Sequence, residues 1–286
     1  MESNRRKFLR QSLTTAAGVA GLVLPGHLSG GPLDRRPFFS KEASRIAKPG
    51  AALIRFSAIG LNHGHIYGQV ETVLRGGGEL VSFYAKEPDL VAAFSKRYPN
   101  AKLARSEQEI LEDKTIQLVV SASIPVERAP LGIRVMQHGK DFMSDKPGMT
   151  TLKQLEEARK VQKQTGRIYS ILYSERLENR ASIQAGNLIK QGAIGKVVQT
   201  LGTGPHRMNP KSRPEWFFDR NSYGGIICDI GSHQCEQFLY FTNSKKAEVL
   251  CSQVGNVHNS QYSGIEDFGD ATLRGDGGSG YFRVDW

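Results

Sequence analysis

Apolar positions in this chain switch between two spacings from about residue 52 onward. Ile54, Phe56, Ala58 and Ile59 make an apolar run of strand length that ends at Gly60. After a short turn, Ile66, Tyr67, Val70, Val73 and Leu74 recur at helical spacing until Gly76-Gly77-Gly78 stops them. The alternation continues. Glu79 to Tyr84 reads as a strand, Pro88 to Arg97 as a helix, and Ile116 to Ala122 as a strand apolar enough to be central in a parallel sheet. A helix from Pro130 to His138 follows, then the short strand Phe142-Met143. Next comes a helix from Leu152 to Thr165, with Thr150 as its cap and Leu152, Leu155, Ala158 and Val161 on one face, and then the strand Arg167 to Tyr173. This spacing predicts a doubly wound parallel α/β sheet over residues 51–172.

Beyond that point the pattern changes. Ala181 to Gln191 reads as a helix, Val197 to Gly202 as a strand, and 204–222 as an irregular loop rich in Pro, Arg and aromatics. Gly224 to Phe241 is helical beyond its glycines, while Ala247 to Val254 and Phe268 to Leu273 resemble strands. Residues 173–286 therefore read as a second, α+β domain with a mainly antiparallel sheet.

Strand, glycine turn and helix at 54–75 form the opening of a nucleotide-binding βαβ unit of Rossmann type, where turn N–H groups and the helix dipole meet a phosphate. Of the G-x-G-x-x-G fingerprint only Gly60 fits: Asn62 and His65 hold the other two glycine positions, and Gly64 lies one residue early. Asn tolerates left-handed backbone, so the turn can survive. Gly60, Asn62, His63, Gly64 and His65 are the candidate cofactor contacts, with an ordinary βα turn as the alternative. At the end of the second strand, Ala85-Lys86-Glu87 stands where a ribose-binding acid is usual, and Lys86 leans toward a 2′-phosphate, hence NADP over NAD.

Composition describes a globular protein of 286 residues, 39% hydrophobic and 23% charged. The net charge of +10 is concentrated at the start. Residues 1–50 hold nine Lys/Arg against three Asp/Glu, leaving 29 against 25 in the other 236. No basic cluster interleaved with aromatics follows, so nucleic-acid binding is not expected. Asn4-Arg5-Arg6-Lys7-Phe8-Leu9-Arg10 instead matches the twin-arginine export pattern, and the apolar run Leu13 to Leu24 is too short and glycine-rich for a membrane span. A basic amphipathic helix is the competing reading. The expectation is a periplasmic protein carried folded by the twin-arginine translocase, with 25–50 as linker. Three cysteines, Cys228, Cys235 and Cys251, argue against a disulfide framework and read as buried small hydrophobes.

Two constellations carry chemistry. Asp145-Lys146-Pro147 ends a sheet strand, and the proline aims the lysine, whose amine could polarise a hydroxyl or carbonyl. A surface turn is the plainer alternative. In Gly224-Gly225-Ile226-Ile227-Cys228-Asp229-Ile230-Gly231-Ser232-His233-Gln234-Cys235-Glu236, helical geometry stacks Asp229 on His233 and His233 near Glu236. A carboxylate beside an imidazole raises its basicity and suits a general base, unless the pair is structural. No metal site is expected, since Cys228 and Cys235 point away from the Asp229–His233 axis.

Together these motifs resemble the glucose–fructose oxidoreductase/inositol dehydrogenase (Gfo/Idh/MocA) family from about residue 52 to the end. Its E-K-P appears as Asp145-Lys146-Pro147 after Gly139-Lys140, and its G-G-x-x-x-D-x-G-x-H-x-x-D as Gly224-Gly225, Asp229, Gly231, His233 and Glu236. The resemblance implies an NAD(P)-dependent oxidoreductase acting on a sugar or cyclitol. In it Lys146 lies at the nicotinamide and substrate, His233 takes the hydroxyl proton, and Asp229 orients alongside. Arg207, Trp216, Phe217 and Glu236 are candidate sugar contacts. Some members are glycosidases that recycle bound NAD, and a catalytically dead nucleotide- or sugar-binding remnant is a further alternative. Pro125-Val126-Glu127-Arg128 departs from the family's N-x-x-H. Members also usually continue well past the position of Trp286, so the second sheet is expected to be incomplete, with an unpaired edge at its last strand. The family further suggests a homo-oligomer through the open sheet face.

Overall fold

A computed structural model describes residues 52–286; the expected twin-arginine motif and linker lie outside the described residues. Ten strands and nine α-helices follow one another here. The first layer runs β1 (Ile54–Ile59), α1 (His65–Arg75), β2 (Gly78–Tyr84), α2 (Pro88–Arg97), β3 (Lys102–Leu103), α3 (Glu107–Glu112), β4 (Leu118–Ser121), α4 (Pro125–Gln137), β5 (Asp141–Asp145), α5 (Leu152–Thr165) and β6 (Tyr169–Leu172). All six strands are parallel, in the order β3-β2-β1-β4-β5-β6. The chain reverses its direction of growth between β1 and β4, and such a switch point opens a crevice at the strands' carboxyl ends.

The sheet is buried on both faces, so its strands carry unbroken apolar runs. Leu118 and Val120 of β4 pack with Phe56, Ala58, Ile66, Val70, Phe83 and Phe94 on one side. Val119 turns to the other, against Ile110, Leu131, Val135 and Phe142. One polar pair sits within this core: Ser57 and Ser82, on neighbouring strands, share a hydrogen bond of 2.8 Å.

Three local expectations change. First, α4 begins at Pro125, so Pro130 lies inside the helix. Pro130 cannot donate to the carbonyl of Val126, and that carbonyl instead accepts from Gln154 Nε2 at 2.8 Å. Second, Thr151, not Thr150, caps α5 by accepting from the N–H of Gln154. On this helix Ala158 and Val161 are buried while Leu152 is 83% exposed. Third, β3 and α3 had no clear pattern: β3 is two exposed residues, and α3 is a six-residue helix held by the Ser106 cap.

The second layer contains α6 (Ser174–Leu177), α7 (Arg180–Lys190), β7 (Gln199–Pro205), α8 (Arg220–Tyr223), a π-turn (Ile227–Gly231), α9 (Ser232–Thr242), β8 (Ala247–Gly255), β9 (Phe268–Gly275) and β10 (Ser279–Asp285). Its sheet has the order β7-β10-β9-β8. β9 is antiparallel to both β8 and β10, and β10 is parallel to β7. The last strand is therefore paired on both sides, contrary to the expected unpaired edge, because β7 returns along its free flank. The π-turn and α9 cover one face with Ile226, Ile230 and Phe238 against Leu273, Phe282 and Val284. The other face leaves Leu201 and Tyr281 exposed, paired on neighbouring strands. Cys251, on β8, is exposed too, so only Cys228 and Cys235 are partly buried. Among the described residues no helix is long and apolar enough to cross a membrane.

This packing separates two substitutions that each shorten a large apolar side chain to alanine. Phe142→Ala empties a fully buried position edge-on to Tyr169, with ring centroids 5.1 Å apart, and is expected to cost about 3–5 kcal/mol in urea unfolding. Leu152→Ala is expected to cost less than about 0.5 kcal/mol. Equal losses would contradict this description of the core.

Candidate active site

The carboxyl ends of β1, β4 and β5 meet at the crevice, and each supplies a turn. After β1, Gly60 takes φ +77°, and a Cβ there would lie 2.5 Å from Cβ of Ser123, so only glycine lets the β1 and β4 turns approach. His63 ties the next residues down by donating its N–H to the carbonyl of Ala122. Gly64 then starts α1 with no side-chain cap of its own, and the first N–H groups of the helix donate locally, that of His65 to Nδ1 of His63 at 3.2 Å and that of Ile66 to the His63 carbonyl at 3.1 Å.

Beside this turn runs a groove of about 420 Å³ lined by Gly60, Asn62, Ala85, Lys86, Glu87, Ser123, Val126 and Arg134. Its place at the carboxyl ends of β1 and β4 fits a dinucleotide. Both charged residues that follow β2 face the groove. Asn62 Nδ2 donates to Glu87 Oε1 at 2.8 Å, so the acid that sequence spacing placed one residue too late is present and held.

After β5, Asp145 is 2% exposed and lies against Arg128, 1% exposed, with Nη2 and Oδ2 3.1 Å apart. The contact is an ion pair off the hydrogen-bond line, since that oxygen has no donor satisfying it. Arg128 also donates to the carbonyls of Ser123, Lys146 and Pro147. One guanidinium thus fixes both the β4 turn and the peptide that carries the lysine. Burial alone would raise the Asp145 carboxyl, but the charge of Arg128 and the hydrogen bond from His65 (3.0 Å) more than offset it and hold it below the usual carboxylate range.

Lys146 crosses to the second layer. Its Nζ donates to Asp229 Oδ1 at 2.8 Å and to the Asp229 carbonyl at 3.1 Å. The expected stacking of Asp229 on His233 does not occur. The backbone from Ile227 to Gly231 is a π-turn, wider than the α-turn behind that expectation, and the Asp229 carboxylate goes to Lys146. His233 is consequently not made more basic. Burial first, and the Lys146 charge second, lower it to about 3. Its Nδ1 is buried without a partner among the described residues, and its Nε2 is 3.9 Å from Glu175. His63 is likewise lowered to about 3, chiefly by burial and then by His65, whose ring centroid is 4.0 Å away.

A cavity of about 210 Å³ gathers His63, His65, Lys146, Asp229, His233, Trp216 and Phe217, all singled out from sequence, with Arg128, Glu175, His206, Arg213 and Trp286. Two expected substrate contacts lie elsewhere. Glu236 is paired with Arg176. Arg207 does not line the cavity and offers only its carbonyl, to Arg213. Arg213 stands where Arg207 was expected, on the same arginine-rich loop. Arg128 was visible only as a departure from a motif; Glu175 and His206 left no signal in the sequence.

Residues 54–173 match the oxidoreductase family with NAD-binding Rossmann fold, and residues 183–286 match the GFO/IDH/MocA C-terminal domain. A solved structure from Erwinia carotovora atroseptica, assigned as an oxidoreductase, is similar at 44% identity and a TM-score of 0.80, covering 82% of this chain and 70% of that one. The scyllo-inositol 2-dehydrogenase (NADP(+)) of Bacillus subtilis is 23% identical over 150 residues, which is 52% of this chain and 41% of the relative. The D-xylose dehydrogenase of Paenarthrobacter nicotinovorans is 22% identical over 170 residues, 58% of this chain and 41% of the relative. The chain thus spans about two fifths of the length of these characterised relatives. With both of its layers matched in order and a structural relative at 44% identity, the chain belongs to the Gfo/Idh/MocA family of NAD-binding oxidoreductases.

Proposed function

We propose that this chain binds NAD or NADP in the groove beside β1 and β4 and interconverts a hydroxyl and a carbonyl of a sugar, cyclitol or sugar derivative in the adjoining cavity. The observation that carries this reading is Lys146. Its backbone is gripped by buried Arg128, and its amine reaches Asp229 at 2.8 Å inside a cavity also lined by His233. The relatives named as inositol and xylose dehydrogenases support the choice of carbohydrate.

A nicotinamide, when bound, supplies the hydride chemistry. The chain's own residues handle the oxygen. Lys146 hydrogen-bonds the reacting oxygen. In reduction its ammonium gives that oxygen a proton as negative charge develops there; in oxidation the free amine takes the hydroxyl proton. Exchange with water restores the amine after each turnover, and Asp229 fixes its direction. His233, kept neutral at pH 7, receives the substrate hydroxyl in a hydrogen bond and orients the carbinol. Trp216 provides an apolar wall for the ring. Of the two charges that follow β2, Glu87 is engaged by Asn62, which leaves Lys86 to meet a 2′-phosphate and favours NADP.

Two experiments test these roles. Lys146→Met is expected to lower kcat/KM by about 10²–10⁴-fold while leaving dinucleotide affinity within about threefold, by initial rates and calorimetry; unchanged turnover would remove Lys146 from the mechanism. Lys86→Ala is expected to weaken NADP about fivefold and NAD hardly at all, an exposed charge pair contributing about 1 kcal/mol; equal effects on both would reject the 2′-phosphate assignment.

The neutral imidazoles also set a pH dependence of stability. His63 and His233 have folded pKa values of about 3 against an ordinary 6.5. Below about pH 6.5 the unfolded chain takes up protons that the folded chain refuses. Their stabilisation is therefore complete above that pH and declines toward pH 3, by at most about 1.4 kcal/mol per pH unit for each ring. His233→Asn is expected to flatten the fall between pH 6.5 and 5 in urea unfolding. An unchanged slope would show that the ring is not held neutral.

A further inference from the structure

We infer that the carbohydrate taken by this cavity bears a carboxylate, and that Arg213 is the residue that reads it. The inference rests on the proposed function and deepens it by naming the substrate class.

Among the cationic side chains lining the cavity, all but one are spent on a carboxylate. Arg128 is committed to Asp145, and Lys146 to Asp229. Glu175 accepts from Gln237 Nε2 at 3.1 Å and faces His233. Arg213 is the exception. It has no carboxylate partner among the described residues; its Nε donates to the carbonyl of Met208 at 2.9 Å and its Nη2 to that of Arg207 at 3.3 Å. Nη1 makes no hydrogen bond among the described residues, and Nη2 has a second hydrogen to give. Arg213 is thus the one cation of the lining with no carboxylate in contact; Glu175, the other carboxylate of the lining beside Asp229, is engaged by Gln237 and is not paired with it.

The side chain is also built to stay where it is. Its Cζ lies 4.4 Å from the ring centre of Phe217 and 5.1 Å from that of Trp286, and the two carbonyl bonds fix its rotation. Burial opposes its charge, with Asp229 as the opposing favourable influence, yet an arginine does not give up its proton. A half-buried, fixed and unpaired guanidinium presents a planar pair of donors, and a carboxylate is the anion whose two oxygens match that edge. A sugar acid, with its ring against Trp216 and its hydroxyls toward Lys146 and His233, supplies the carboxylate partner that Arg213 lacks. A neutral sugar leaves the guanidinium desolvated without compensation.

The test compares glucuronate with glucose, galacturonate with galactose, and glucose 6-phosphate as a tetrahedral anion, by calorimetry on the full chain with and without NADP. The expected result is a preference of about ten- to a hundredfold for each uronate over its parent sugar. Arg213→Gln should level the two while keeping affinity for the neutral sugar and for the dinucleotide, which also shows that the variant is folded. Arg213→Lys, keeping the charge without the fork, should retain part of the preference. Uronate binding no tighter than the parent sugar overturns the inference, as does a stronger preference for the phosphate or a preference that survives in Arg213→Gln. A wild-type protein that takes the dinucleotide but ignores the carboxylate sinks this inference alone. One that reads the carboxylate but takes no dinucleotide upholds it and sinks the oxidoreductase reading.

Discussion

The buried pair of Arg128 and Asp145 is the contact on which the rest of the site depends. Burying two ions costs several kcal/mol each before their attraction is counted, so the pair is a poor source of net stability. Its value lies in direction. Arg128 spends its remaining donors on carbonyls at Ser123, Lys146 and Pro147, which joins the end of β4 to the end of β5. Asp145 spends its other oxygen on His65, the first residue of α1. Three turns of the parallel sheet are thereby locked around one point. Leaving either ion without its partner in that dry interior is costly, about 3–5 kcal/mol in comparable cases, so the arrangement is hard to loosen by half.

From this anchor the site extends outward in both directions. On one side the close approach of Gly60 and Ser123 borders a groove that carries one lysine and one glutamate. On the other, Lys146 meets Asp229 across the boundary between the two layers. The π-turn that carries Asp229 is the device that makes this contact possible. A regular helix would have directed the carboxylate along its own axis toward His233; the wider turn releases it to the lysine. The exchange decides the electrostatics of the cavity, because His233 then feels the lysine charge and its own burial more than any carboxylate.

Much of the fold was legible because sheet burial leaves a strong mark. The β1, β2, β4 and β5 strands and helices α1, α2 and α5 follow from apolar spacing and from glycine stops. The elements that escaped are those whose stability comes from elsewhere. β3 is two exposed residues paired along an edge, and Pro130 lies within α4 only because Gln154 takes over the carbonyl it abandons. In the site, Lys146, Asp229, His233 and Trp216 were found through motif spacing, and all line one cavity. Glu236 was drawn in by helical arithmetic and is occupied by Arg176. Arg128 and Arg213 could not be recognised from spacing, since their roles rest on backbone carbonyls and on rings brought together from distant segments.

The most direct test of the account uses its two tryptophans, Trp216 and Trp286, the only two in the chain and both in the wall of the cavity. Titration of the folded protein with NADPH and with NADH, followed by tryptophan fluorescence, is predicted to give saturable quenching, stronger for NADPH at equal concentration. A folded protein whose fluorescence is unmoved by either dinucleotide would contradict the claim that the crevice between β1 and β4 is a nucleotide site opening onto Lys146.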